Sequence, residues 1–136
     1  MPKLPLPPEA DALLRRANPA VIATVLASGA PHTAVTWYDW DGARVLVNMD
    51  SARLRLANMR RDPRVSVTVL DGPNWYRQLT LFGRVEEIRD DADFADIDRL
   101  SLRYSRRTFG NRQRARTSAL IVPERWYGWE GSSHWP

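Results

Sequence analysis

Val47-Asn48-Met49-Asp50-Ser51-Ala52-Arg53-Leu54-Arg55-Leu56-Ala57-Asn58-Met59-Arg60-Arg61-Asp62-Pro63-Arg64-Val65-Ser66 reads as a strand end, a serine cap, an arginine-bearing helix, an Asp-Pro stop and a new strand. A helix N-terminus carries unpaired backbone N–H groups and the positive end of the dipole, so it favours anions. Ser51 is placed to cap that terminus, and Arg53 and Arg55 add two permanent charges to its first turns. The chain has no glycine-rich phosphate loop, and this stretch is its candidate grip for a phosphorylated ligand.

The composition narrows the chemistry around that grip. At 136 residues the chain is long enough for a single domain with a core of its own. It contains no cysteine, which removes disulfides, thiol catalysis and zinc–thiolate sites. No apolar run is long enough to cross a bilayer, and no stable membrane association is expected. The opening Met-Pro-Lys-Leu-Pro-Leu-Pro-Pro is too short and too broken by proline for a secretion signal, which points to the cytoplasm. The net charge is +4, carried almost wholly by arginine, since Lys3 is the only lysine. Nucleic acid, an anionic membrane or a polyanionic small molecule would all suit that balance.

Outward from the arginine helix, residues 1–7 read as a flexible arm and residues 8–136 as one domain. Pro8 opens a short helix through Ala17 with Leu13 and Leu14 on its buried side. Strands are predicted over Ala20–Ala27, Thr33–Trp40, Ala43–Asn48, Arg64–Leu70, Trp75–Ile88, Ser118–Val122 and Trp126–Trp129. Asp41-Gly42 is a hairpin signal, and Gly83 marks a bend or bulge in the longest strand. Phe94, Ile97, Leu100 and Tyr104 form one stripe of a helix over Asp90–Tyr104, whose aspartates suit its N-terminal end. Strands in hairpin order interrupted by helices predict a mainly β (α+β) fold, a six- to seven-stranded antiparallel barrel with short helical excursions.

No nucleophilic triad is legible. His32 opens a strand beside Pro31, His134 lies far from it, and there is no Gly-x-Ser-x-Gly elbow. No His/Asp/Glu group has metal-ligand spacing. The aromatic residues Trp37, Tyr38, Trp40, Trp75, Tyr76, Trp126, Tyr127, Trp129 and Trp135 serve as packing, as a subunit interface or as a slot for a planar heterocycle. The run Arg99, Arg103, Arg106, Arg107, Arg112, Arg114 and Arg116 reads as a solvated loop or as a surface for a polyanion.

Three motifs in this order resemble the pyridoxine 5′-phosphate oxidase-like split β-barrel superfamily of flavin and deazaflavin proteins. They are Gly29-x-Pro31 continued through Val35-Thr36-Trp37; Asn48-Met49-Asp50-Ser51 with Arg55 and then Asp62-Pro63-Arg64-Val65-Ser66; and Arg77-Gln78-Leu79 with Gly83-Arg84-Val85-Glu86. The resemblance implies a homodimer with the cofactor in a cleft between subunits. It implies a ring system along Val35, Thr36 and Trp37, and a phosphate held at Arg55 near Asn48 and Met49, with Gln78 reaching the cofactor from a neighbouring strand. Asp50, Ser51 and Arg53 complete the expected cofactor set. Trp126 and Trp129 are expected to line the substrate slot, and no side chain is expected to act as a catalytic nucleophile.

Departures from the pattern refine the expectation. Pyridoxine phosphate oxidases put basic residues at the positions of Ala34, Asp39 and Leu54, and their C-terminal Arg-x-His is missing from Glu130–Trp135. Vitamin B6 oxidation is therefore disfavoured. Asn58 to Val65 and the arginine bias look like the actinobacterial deazaflavin branch, which uses coenzyme F420. The expectation is an F420-dependent oxidoreductase delivering hydride to an unsaturated small organic substrate. An FMN-binding flavoprotein or flavin reductase is the alternative on the same fold. A nucleic-acid-binding small barrel is the alternative of another class.

Overall fold

The computed structural model describes residues 1–130. His134 and Trp135 lie outside the described residues. The elements are α1 (Pro8–Arg15), β1 (Ala20–Val25), β2 (Pro31–Thr36), β3 (Asp39–Trp40), β4 (Val45–Asp50), α2 (Leu54–Arg61), β5 (Arg64–Leu70), β6 (Arg77–Asp90), α3 (Ala95–Ser105) and β7 (Arg116–Glu130). The seven strands form one antiparallel sheet in the order β2-β1-β5-β6-β7-β4-β3. The sheet is not closed, because its edges β2 and β3 do not pair. Only Trp37 and Tyr38 separate those two edges in the chain, so the edges come within about 11 Å of each other. The sheet therefore curls into a barrel with a split.

The main core fills the barrel with Ile22, Val67, Leu79, Leu81, Val47, Met49 and Ile121, and α2 adds Leu56 and Met59. On the opposite face of β4, Leu46 joins Leu120 of β7 and Ile97 and Leu100 of α3 in a second, smaller cluster. β4 is thus covered on both sides, which is why five of its six residues are buried. That second cluster positions the site.

Two register shifts interrupt the β6–β7 ladder, at Phe82/Gly83 and at Val85/Glu87, and the first sets which residues of the end of β7 face inward. Phe82 pairs with Arg125, and Gly83 with Pro123, so Glu124 is an extra residue on β7. Proline lacks the N–H that a regular ladder needs, and a bulge tolerates it. A Cβ on Gly83 would lie 2.1 Å from the Val122 carbonyl oxygen, so only glycine permits the approach. The predicted break between two strands here is instead a bulge within one continuous strand. The extra residue turns Arg125 outward and Trp126 inward, where it is 6% exposed.

Residues 1–7 lie along the sheet. Lys3 bridges to Arg125, the Trp126 N–H donates to the Pro2 carbonyl at 3.1 Å, and Leu6 packs on the main core. No helix among the described residues is long and apolar enough to cross a membrane.

Candidate functional site

A pocket of about 310 Å³ opens at the split in the barrel. Val35, Thr36 and Trp37 border it from the end of β2, and Asn48 from β4. Arg53 and Arg55 enter from the start of α2, and Arg116 from the start of β7. Ile97 and Leu100 of α3 and Phe109 of the following loop form the apolar wall.

The geometry of the cations follows from the strands around them. Arg55 is half-buried and spans the split, donating to the carbonyls of Val35 (3.4 Å) and Asn48 (3.3 Å) and to Thr36 Oγ1 (3.5 Å). These bonds are long, hence weak, and the buried Nε of Arg55 has no partner. Arg116 donates its Nε to Asn48 Oδ1 at 3.0 Å and lies over the Phe109 ring at 4.8 Å. Among the described residues, Arg53, Arg55 and Arg116 form no ion pair. Burial, together with the charges of Arg53 and Arg116, pushes the Arg55 guanidinium below the usual arginine range. Arg116 is pushed the same way, by burial and by Arg53, with Asp50 and Asp91 opposing. Three mutually repelling guanidiniums with spare donors make this corner of the pocket electrostatically suited to an anionic group.

Asn48 and the groups behind it fix this cluster. Asn48 Nδ2 donates to Asp91 Oδ2 (3.1 Å) and Ser118 Oγ (2.9 Å), so its Oδ1 is turned toward Arg116. Asp91 in turn accepts the N–H groups of Asp96 (3.0 Å) and Ile97 (2.9 Å), satisfying the first turn of α3. Asp91 is only 4% exposed, so this aspartate of the predicted acidic helix start is a buried cap rather than a solvated charge. Trp37 stacks on Tyr104 (5.4 Å, 7°) and meets Phe109 edge-on (6.5 Å, 87°).

Of the expected cofactor residues, the fold brings Val35, Thr36, Trp37, Asn48, Arg53 and Arg55 together. Met49 does not join them, because strand alternation sends its side chain into the main core. Asp50 pairs with Arg114 and accepts the Ala52 N–H at 2.8 Å. Ser51 is not the cap of α2: the helix begins at Leu54, with Arg53 as its N-terminal flank and no side-chain cap. The Ser51 hydroxyl instead bonds Thr117 Oγ1 at 2.7 Å. Gln78 lies across the ladder from Trp129, away from the pocket. Neither Trp126, buried in the core, nor Trp129 lines it.

Sequence reasoning missed Arg116, Phe109, Ile97 and Leu100 as pocket residues. The signal for Arg116 is its membership of the arginine run that reads as a solvated loop or a polyanion surface, which did not place it beside Arg53 and Arg55.

The chain matches the pyridoxamine 5′-phosphate oxidase family over residues 6–130. No curated protein matches it in sequence. Among solved structures, an F420 reductase is 28% identical, with a TM-score of 0.83 over 89% of this chain and 98% of that one. A conserved hypothetical protein from Mycobacterium tuberculosis is 22% identical, with a TM-score of 0.72 over 96% of this chain and 88% of that one. The general stress protein 26 of Bacillus anthracis is 16% identical, with a TM-score of 0.66 over 88% of this chain and 90% of that one. The last two likenesses concern the fold alone. The match across nearly the whole chain and the split seven-stranded sheet agree: this chain belongs to the pyridoxamine 5′-phosphate oxidase family.

Proposed function

We propose that the protein is a homodimeric oxidoreductase that binds reduced coenzyme F420 and passes a hydride to an unsaturated organic substrate. The observation that carries this reading is the convergence of Arg53, Arg55 and Arg116, without ion-pair partners among the described residues and with Arg55 and Arg116 half-buried, beside the Trp37 and Phe109 rings. That set suits a planar cofactor with a phosphate arm. The family match and the likeness to an F420 reductase support it.

The chain's own residues have defined parts in such a reaction. Arg55 and Arg116 hold the phosphate from two sides, and Arg53 adds charge at the rim. Asn48 keeps Arg116 aimed. Trp37, Phe109, Ile97 and Leu100 exclude water from the cofactor's flank. When bound, the reduced deazaflavin supplies the hydride, and solvent supplies the proton that completes the reduction. Positioning donor and acceptor in contact accounts for several kcal/mol of such a barrier, so no side-chain nucleophile is required.

The outer sheet face offers a surface for the second subunit. Val35, Val21, Thr68, Thr80 and Tyr127 form one cross-strand row without a charge, and Leu70, Gln78 and Trp129 form another on the same face. A solvated sheet face is ordinarily polar. This one begins at Val35, which is 76% exposed at the pocket rim. A second copy covering it would bring its Gln78 toward this chain's cofactor.

Fluorescence titration of purified protein with F420, FMN and FAD tests the cofactor, with F420 expected to bind tightest. Tighter FMN binding would move the reading to a flavoprotein, and no binding of any of the three would end it. Sedimentation of wild type and Thr80→Arg tests the dimer. The wild type is expected as a dimer and the variant as a monomer.

A further inference from the structure

Asp50 and Arg116 stand directly opposite each other in the β4–β7 ladder. Opposite charges in that placement ordinarily join. Here they do not. Asp50 accepts the Arg114 Nε–H and the Ala52 N–H, while Arg116 turns to Asn48 and the face of Phe109. Arg112, Arg114 and Arg116 recur at every second position. The first pairs with Asp98 and the second with Asp50, and the third is left to the pocket.

We infer that Arg114 is a charge-sorting residue: by engaging Asp50 it keeps that carboxylate off Arg116, so the Arg53–Arg55–Arg116 cluster stays open to a ligand's anionic group. Asp50, expected from the sequence among the cofactor contacts, is then a built-in competitor for the anion position. The inference rests on the reading of this pocket as an anion site.

The two side chains differ in a way that favours this role. The Arg114 side chain is 61% exposed, so its stem contributes little packing, while that of Asp50 is 18% exposed beside the site. Without Arg114, the guanidinium directly across the ladder from Asp50 is that of Arg116. A carboxylate seated there would cancel one charge of the cluster, and an incoming phosphate would have to displace it. Arg114 therefore sets how strongly the site prefers an anion without touching the ligand itself.

The test is a double-mutant cycle on wild type, Arg114→Gln, Asp50→Asn and the double variant. Each is titrated at fixed ionic strength with inorganic pyrophosphate and with FMN, following tryptophan fluorescence, with Trp37 at the pocket as reporter. Thermal melts of each variant check folding. Arg114→Gln is expected to weaken pyrophosphate binding about tenfold in the wild-type background and by less than about twofold in the Asp50→Asn background. Equal losses in both backgrounds would mean that Arg114 contacts the ligand or acts through a diffuse field, and would overturn the inference. Wild-type protein that binds pyrophosphate but none of FMN, FAD and F420 would sink the cofactor reading alone. Wild-type protein that binds no anion would sink both.

Discussion

Tyr104 lies flat against Trp37, ring centroids 5.4 Å apart and planes 7° from parallel, while its hydroxyl donates to the Asn18 carbonyl at 2.6 Å. One residue of α3 thus holds a wall of the pocket and ties it to the segment following α1. Arg103 beside it completes the tie by donating to the carbonyls of Leu14, Arg15, Arg16 and Tyr38 at 2.6–3.0 Å. The C-terminal carbonyls of α1, which have no helical partner, are satisfied this way.

Tyr104→Phe keeps the stack and loses the hydroxyl's bonds to the Asn18 carbonyl and, more weakly, from the Tyr38 N–H, so it should cost about 1–2 kcal/mol of stability. Tyr104→Ala loses both and leaves a cavity, with an expected cost of about 3–5 kcal/mol. Chemical denaturation of the two variants measures the difference. Ligand affinity should follow the stack, unchanged in the first variant and weakened in the second.

Arg55 is held where folding disfavours its charge, through burial and the nearby Arg53 and Arg116. Arg55→Met should therefore leave thermal stability equal or higher while weakening cofactor binding by about 1.5–3 kcal/mol, the size of a charge-assisted bond. A melt and a titration on the same preparation read both effects. A fall in melting temperature would show that the guanidinium is structural.

Gly83 meets backbone on its open side, with Val122 and Pro123 atoms 2.1 and 2.9 Å from a built Cβ. Neither neighbour is a flexible side-chain end, so Gly83→Ala must separate β6 from β7 at the bulge. The expected loss exceeds about 3 kcal/mol, visible as a sharply lowered denaturation midpoint or as insoluble expression.

The Asp98 carboxyl is held down at about 2 by two N–H groups of Arg112 and the backbone N–H of Phe109. A depressed carboxyl contributes stability above its ordinary value of 3.8, and the contribution fades as pH falls through about 2. Asp98→Asn should thus lower the melting temperature at pH 7, and the gap to wild type should shrink as pH falls from about 4 toward 2. A gap that stays constant over that range would show that the pair does not hold the loop carrying Phe109.

Much of the fold was legible in local chemistry. Arg64–Leu70 was predicted to the residue, because an Asp-Pro stop and an alternating β-branched run bound it on the N-terminal side and Asp71-Gly72-Pro73 closes it. The Asp41-Gly42 turn holds, with Gly42 at φ 94 and Asp41 Oδ1 accepting the N–H groups of Ala43 and Arg44. The family resemblance was also readable, since its motifs are short and lie in order along the chain.

Where side chains point was not legible at that level. Ser51 had the right type and spacing for a helix cap, but Thr117 on a distant strand offers its hydroxyl a partner, and α2 starts three residues later. The predicted strand Thr33–Trp40 splits into β2 and β3 because the chain crosses from one edge of the sheet to the other at Trp37-Tyr38. Trp126 turns inward only because Glu124 is an extra residue opposite Gly83, and one residue of register flips every later side chain.

The sequence by itself determined most strand and turn positions, the family resemblance and a cationic character around Arg53 and Arg55, since each rests on residues near one another in the chain. Only the tertiary structure decided that Arg116 joins those two, that Arg114 takes Asp50, and that Gln78 faces away from its own chain's pocket. Those outcomes depend on register between strands far apart in sequence, and register is fixed by the whole sheet at once.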